Sequence, residues 1–197
     1  MKNVWIDVGA HLGESTLPHA KTHPDTMVYA FEPNIYAAQK IGIGMLPNYK
    51  VIPAAVSDYN GMAILTVTKY EQSSSILPFN EEGKRNWKGN EGLEEMDLLP
   101  VPVVRLDTFI QTMGIKEVDF LKIDSQGCDK LVLESLGLWI HKVNLVKAEA
   151  QIVGKMVYEG APTERDLVQF MVAKGFRVEH RQLQTDRREV NLTFRRI

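Results

Sequence analysis

The sequence predicts an α/β fold: a mostly parallel, seven-stranded sheet that ends in an antiparallel edge hairpin. Three observations point to it. Apolar runs and helical patterns alternate along most of the 197 residues, as in a parallel sheet covered by helices on both faces. The chain opens Val4-Trp5-Ile6-Asp7-Val8-Gly9-Ala10-His11-Leu12-Gly13, an apolar run closing on an acid and two glycines, which reads as a strand and a tight turn. Finally, Phe176–His180 and Val190–Phe194 are separated by about nine residues. A parallel crossover needs a dozen or more, so this pair should run antiparallel.

Taken in order, strands are expected near Val4–Val8, Met27–Phe31, Lys50–Pro53, Val118–Ile123 and Leu145–Glu149. Asn34 can cap a helix through Ile35, Ala38 and Ile41. Asp107 can cap another that carries Phe109, Ile110 and Met113 and stops at Gly114. A helix after Gly127 would present Leu131, Leu133 and Leu136, with Gly137 as its stop. Thr163-Glu164-Arg165-Asp166 has the capping-box pattern ahead of Leu167, Phe170 and Met171, with Gly175 beyond. Between Tyr59 and Val104 the alternation breaks. Ala63–Thr68 and Val101–Val104 read as short strands of a small insertion after the third strand. The stretch Glu81–Asp97 between them carries six acids against three bases. It reads as a solvated loop or, since long loops in compact domains often bind, as a substrate lid. No linker, repeat or low-complexity tract is visible, so residues 1–197 are expected to form one domain.

Composition narrows the function. Hydrophobic content of 44% and charged content of 24% are ordinary for a globular protein. A net charge of −2 gives no reason to expect nucleic acid, which calls for a basic surface. One cysteine, Cys128, excludes an internal disulfide and fits a reducing compartment; it reads as a small helix residue. No apolar stretch is long enough to span a bilayer and no signal peptide is visible, so a cytoplasmic location is the default. The histidines lack metal spacing, and no metal is expected. Oligomeric state is not legible.

The opening carries the chemistry. Some twenty residues after it, a second apolar run, Val28-Tyr29-Ala30-Phe31, closes on Glu32. A strand, a glycine turn and an acid at the end of the next strand commonly hold a nucleoside-containing cofactor. Gly9 and Gly13 are spaced wrongly for the dinucleotide fingerprint, and no phosphate-binding G-x-x-x-x-G-K-[ST] loop exists. The remaining pattern, D-x-G-x-x-x-G, resembles the first motif of S-adenosylmethionine-dependent methyltransferases.

Four further stretches follow in order: Tyr29-Ala30-Phe31-Glu32-Pro33-Asn34, Ala54-Ala55-Val56-Ser57-Asp58-Tyr59-Asn60-Gly61, Arg105-Leu106-Asp107-Thr108-Phe109, and Val118-Asp119-Phe120-Leu121-Lys122-Ile123-Asp124-Ser125-Gln126-Gly127. With the opening they resemble the FkbM family of methyltransferases, over about Val4 to Glu149. Gln126 departs from the pattern, standing where the family usually has Glu. The resemblance implies a Rossmann-like fold of class I, S-adenosyl-L-methionine as cofactor, and transfer of a methyl group to an oxygen. The acceptors it implies are hydroxyls of sugars, glycolipids or natural products. The alternatives are a cofactor-binding protein of the same fold without methyl transfer and a nucleic-acid methyltransferase.

The same resemblance places the cofactor against Asp7, Gly9, Ala10, Gly13, Glu32, Pro33, Ala55, Val56, Ser57, Asp58 and Asp124. Gly9 and Gly13 would let backbone approach the cofactor without a Cβ clash, beside amides of a helix N-terminus. Asp7 would orient that loop or meet the amino-acid portion. Glu32 has two oxygens suited to a pair of ribose hydroxyls. Ala55, Val56 and Ser57 would wall the adenine, with Asp58 as acceptor or turn acid. Asp124, His11 and Glu149 are the candidates for proton transfer from an alcohol, which needs a base or strong orientation. His11 could equally pack on cofactor or face solvent. Ser73-Ser74-Ser75 read as a binding segment or a polar turn. Arg177, Arg181, Arg187, Arg188, Arg195 and Arg196 outnumber three acids in the last twenty-one residues, a solvated edge hairpin or a contact for an anionic partner.

Overall fold

The computed structural model describes residues 3–42, 46–87, 89–184 and 188–197. Arg187, named above, and Lys88, one of the three bases of Glu81–Asp97, lie outside them. The order of elements is β1 (Asn3–Val8), α1 (Leu17–Thr22), β2 (Thr26–Phe31), α2 (Ile35–Gly42), β3 (Tyr49–Ile52), β4 (Ala55–Val56), β5 (Gly61–Thr68), α3 (Glu81–Arg85), β6 (Glu95–Val104), α4 (Leu106–Thr112), β7 (Val118–Ile123), α5 (Asp129–Glu134), β8 (Val143–Gln151), α6 (Glu164–Ala173), β9 (Phe176–Leu183) and β10 (Glu189–Arg196).

Seven strands form one sheet in the order β3-β2-β1-β7-β8-β10-β9. The pairs from β3 to β8 are parallel, and β10 runs antiparallel to both β8 and β9. The reversed strand is therefore inserted between β8 and β9, so β9, not the last strand in sequence, forms the edge. Winding changes direction between β1 and β7, and a crevice is expected above the carboxyl ends of strands at such a switch point. Ile6, Val8, Phe31, Leu121, Ile123, Val146 and Phe194 are buried in the main core between sheet and helices. These strands are apolar on both faces because both faces are covered.

The helix starts follow local chemistry, with two departures from expectation. Asn34 Oδ1 accepts from Tyr36 N at 3.0 Å, and Thr163 and Asp166 form the reciprocal capping box of α6. Asp107 does not cap α4. Arg105 is its N-cap, and Asp107 sits in the first turn where the Arg105 guanidinium holds it. Gly137 does not simply end a helix; it opens a 3-10 turn over Gly137–Lys142.

The insertion forms a second sheet, β4-β6-β5, with β5 and β6 antiparallel. Here β6 begins at Glu95, well ahead of the expected Val101. Its first residues are charged and exposed, so they read as loop, yet they pair with β5 on a face open to solvent. Glu81–Asp97 is not one plain loop either, since it contains α3 and a 3-10 turn over Asn90–Leu93. Gly83 of α3 packs so closely on Met156 that an added Cβ would lie 1.7 Å from its carbonyl oxygen.

Candidate active site at the carboxyl ends of β1, β2, β7 and β8

A cavity of about 480 Å³ opens over these strand ends. Its first wall is the turn after β1. The amides of Gly9 and Ala10 both donate to Phe31 O at 3.0 Å, fastening the turn to the end of β2. Gly9 has φ +73, and a Cβ there would lie 1.8 Å from Asp124 O. The glycine is thus required by contact between the turns after β1 and β7, before any cofactor is considered. The helix N-terminus expected beside these glycines starts later: Thr16 is the N-cap of α1, three residues beyond Gly13.

Glu32 follows β2 directly and braces the same turn. Its Oε2 accepts from His11 N at 2.6 Å and its Oε1 from Asn34 N at 2.8 Å. Burial pushes this carboxyl up, against the lowering effect of those two bonds. Each carboxylate oxygen can accept more than one bond, so both keep capacity for a ligand hydroxyl.

Lys122, inside β7, ties the floor together from the end of a fully packed strand. Its Nζ donates to Gly9 O at 2.7 Å and lies 3.1 Å from Asp7 Oδ1 and 3.6 Å from Asp124 Oδ2. Burial alone would lower this lysine, but Asp7 and Asp124 raise it. Asp7 is fully buried, and its Oδ2 accepts from Thr16 Oγ1 at 2.6 Å. Thr16 Oγ1 also lies 3.0 Å from the Tyr49 hydroxyl, which burial pushes up to about 12.

The acid end of the cavity is built on β7 and β8. Asp124 Oδ1 accepts from Gln126 Nε2 at 2.9 Å. Asp129, fully enclosed behind it, accepts Glu149 N at 2.7 Å and Ser125 Oγ at 2.9 Å, and burial pushes it up to about 6. Glu149 is 8% exposed and its Oε1 accepts from Gln184 Nε2. Burial, then the nearby charges of Asp124 and Glu189, raise its carboxyl well above the usual range.

Of the expected site residues, Gly9, Ala10, His11, Glu32, Pro33, Ala55, Val56, Asp124 and Glu149 line the cavity. Four do not. Asp7 is sealed behind the turn by Lys122 and Thr16. Gly13 faces Leu17 and Tyr49 beneath α1. Ser57 is buried with its hydroxyl on Asp58, and Asp58 is exposed, its carbonyl taken by Arg105. The His11 ring turns to the rim, where Nδ1 meets Glu14 Oε1 at 2.7 Å and Nε2 lies 3.9 Å from Glu71 Oε2. Ser73, Ser74 and Ser75 line the cavity, and Ser75 Oγ donates to Gln126 O at 2.7 Å. Cys128 also reaches the wall, at the N-cap of α5, with its thiol pushed up to about 12 by burial.

Sequence reasoning missed Lys122 as a site residue, and with it Tyr70, Gln72, Trp87, Gln184 and Glu189 on the cavity wall. A lysine within an otherwise apolar strand was the available signal, because a buried charge requires a partner. The others come from the inserted segment and from the β9–β10 hairpin, which carry no motif. Among the described residues, the C-terminal arginines are mostly engaged. Arg181 pairs with Glu164, Arg195 with Glu179 and Arg196 with Glu117. Arg188 donates to Asn86 O and stacks over Trp87. No described helix is long and apolar enough to cross a membrane.

The methyltransferase FkbM domain matches residues 7–178, most of the chain and all four of the strand ends just described. The chain belongs to the FkbM methyltransferase family. Its cofactor is S-adenosylmethionine. A curated relative is the 2-O-methyltransferase NoeI of Sinorhizobium fredii (strain NBRC 101917 / NGR234), 23% identical over 167 residues, a match taking in 80% of this chain and 66% of the relative. Solved structures with the same Rossmann-like class I fold include a putative rRNA-methylase from Clostridium thermocellum, TM-score 0.55 at 10% identity, covering 100% of this chain and 87% of that one. M. capricolum TrmK in complex with S-adenosyl-homocysteine has TM-score 0.54 at 10% identity, covering 98% and 62%. Synechocystis PCC 6803 magnesium protoporphyrin IX methyltransferase (ChlM) with bound SAM has TM-score 0.52 at 8% identity, covering 98% and 69%.

The FkbM chain offers this cofactor a matching set of groups. Carboxylates at Glu32 and Asp124 suit ribose hydroxyls and cationic groups, and Ala54, Ala55, Val56, Leu65 and Ile76 make an apolar wall for a flat base.

Proposed function

We propose that this chain transfers a methyl group from S-adenosylmethionine to a hydroxyl oxygen of a sugar, glycolipid or natural product. The observation that carries the reading is Glu149: a carboxyl lining the cavity with Asp124, enclosed and raised above the ordinary carboxylate range by burial and neighbouring acids. A base is most effective when its pKa lies near the operating pH. The 2-O-methyltransferase relative supports oxygen as the atom methylated.

When bound, the cofactor supplies an activated methyl on a sulfonium, so the protein's task is chiefly alignment. Glu32 would hold the ribose hydroxyls while Gly9, Ala10 and Pro33 would shape the adjoining wall. Ala55 and Val56 would face the base. Asp124 would face the cationic amino-acid end. Glu149 in its ionised form would accept the proton of the acceptor hydroxyl. Trp87 and Tyr70, from the inserted segment, border the side where an acceptor would enter, and the stretch carrying Trp87 acts as the substrate lid.

The test is methyl-labelled S-adenosylmethionine with a panel of methyl glycosides and natural-product alcohols, read by label in the product and by S-adenosylhomocysteine formed. Label on a hydroxyl oxygen is expected. Tight cofactor binding with no transfer across the panel, or label only on added RNA or DNA, would reject the reading.

A further inference from the structure

Gln126 is one of two non-glycine residues with left-handed backbone among the described residues, at φ +51. Such strain in a residue with a Cβ persists only where its surroundings over-determine it, and it concentrates at functional sites. The surroundings here are specific. Gln126 Nε2 donates to Asp124 Oδ1 at 2.9 Å, its Oε1 lies 2.7 Å from the Tyr158 hydroxyl, and its carbonyl accepts from Ser75 Oγ at 2.7 Å. The Tyr158 ring is 1% exposed and packs on Phe79, and its hydroxyl also lies 2.9 Å from Ser73 O.

These contacts decide which way the amide points. An ionised Asp124 is acceptor-only, so it must meet the NH₂ end. That leaves Oε1 for Tyr158, whose burial keeps the phenol protonated, its one proton shared between Gln126 Oε1 and Ser73 O. A carboxylate at position 126 could still accept from Tyr158, but it could not donate to Asp124 and would set two acids side by side. Next to it, a Cβ on Gly127 would come within 2.9 Å of Tyr158 Cβ, so the turn has little room to shift.

We propose that Gln126, oriented by Tyr158, is a positioning residue that holds Asp124 towards the cationic end of the methyl donor. The proposal rests on Asp124 facing that end of the cofactor. Through the clamp, the pose of Asp124 depends on the serine segment and the Tyr158 loop.

Isothermal titration of the full chain tests it, using S-adenosylmethionine and 5′-methylthioadenosine, which keeps the adenosine but lacks the sulfonium and the amino acid. Variants Tyr158→Phe and Gln126→Leu, checked for folding by near-UV dichroism, should weaken S-adenosylmethionine at least fivefold and change methylthioadenosine less than twofold. Gln126→Glu should make S-adenosylmethionine affinity rise more steeply between pH 5 and 8 than in the natural chain, because adjacent carboxyls share a proton. Equal weakening of both ligands would mark the clamp as merely structural and overturn the proposal. So would loss of affinity in Asp124→Asn with none in Tyr158→Phe and Gln126→Leu, which leaves the reading of Asp124 standing. Unchanged affinity in Asp124→Asn would overturn that reading and the clamp with it.

Discussion

Lys122 Nζ lies 3.1 Å from Asp7 Oδ1 in the interior of the sheet, across the paired strands β7 and β1, whose register places Asp7 opposite Lys122. The same ammonium holds the Gly9 carbonyl. One cation therefore neutralises a fully buried acid and fixes the turn that forms the cavity's first wall.

Removing one partner of such a pair leaves the other charge uncompensated. Lys122→Met is expected to cost about 3–5 kcal/mol of stability, measured by urea unfolding. The double variant with Asp7→Asn should recover much of that loss, because no charge is then stranded. A single-variant loss below about 1 kcal/mol would show that the pair contributes little.

Glu32 braces the chain through the His11 and Asn34 amides, and in the proposed reading it also holds the ligand. Glu32→Ala should weaken S-adenosylmethionine binding at least tenfold by calorimetry, while the domain stays folded. It should also lower stability by about 1–3 kcal/mol, because the His11 and Asn34 amides lose their acceptor. Unchanged cofactor affinity would remove the ribose assignment.

Glu149→Gln keeps the shape of the cavity and removes the proposed base. Methyl transfer should fall about 10²–10⁴-fold, with S-adenosylmethionine affinity within threefold of the natural chain. Since burial and neighbouring acids raise this carboxyl, its ionised form accumulates only as pH rises. The rate of the natural enzyme should therefore climb with pH above the ordinary carboxylate range. A flat profile there would exclude Glu149 as the base.

Asp129 gives a stability signature of known sign. Its carboxyl is raised from 3.8 to about 6, so the folded state holds its proton more tightly than the unfolded chain does. That contribution is complete below about pH 4 and is lost as pH rises through 6, up to about 3 kcal/mol by linkage. Urea unfolding of the natural chain and Asp129→Asn across pH 4–7 should show a shallower decline in the variant. Equal slopes would contradict the shift.

The cavity wall was legible at its strand ends. Gly9, Glu32 and Asp124 each fall where an apolar run stops, Glu149 lies two residues before the end of β8, and in a parallel sheet such ends collect on one edge. Ser57 sits in the same motifs yet points into the protein, and Asp7 lies behind the wall, where it helps orient the glycine turn through Lys122; alternation along a strand or turn decides the side, and two-sided burial hides it. Trp87, Gln184 and Tyr158 carried no signal. They arrive from the insertion, the hairpin and a loop, each far from the motifs along the chain.

Alternating apolar runs, a glycine turn and acids at strand ends are local features, so residue order alone determined the sheet's general plan, the family and the cofactor. Which groups neutralise one another was settled only on folding. The link from Tyr158 through Gln126 to Asp124, and the one from Lys122 to Asp7 and Gly9, join residues tens to more than a hundred positions apart. Their strength depends on exclusion from water and on distances of about 3 Å, which exist only once the sheet has brought its strand ends together.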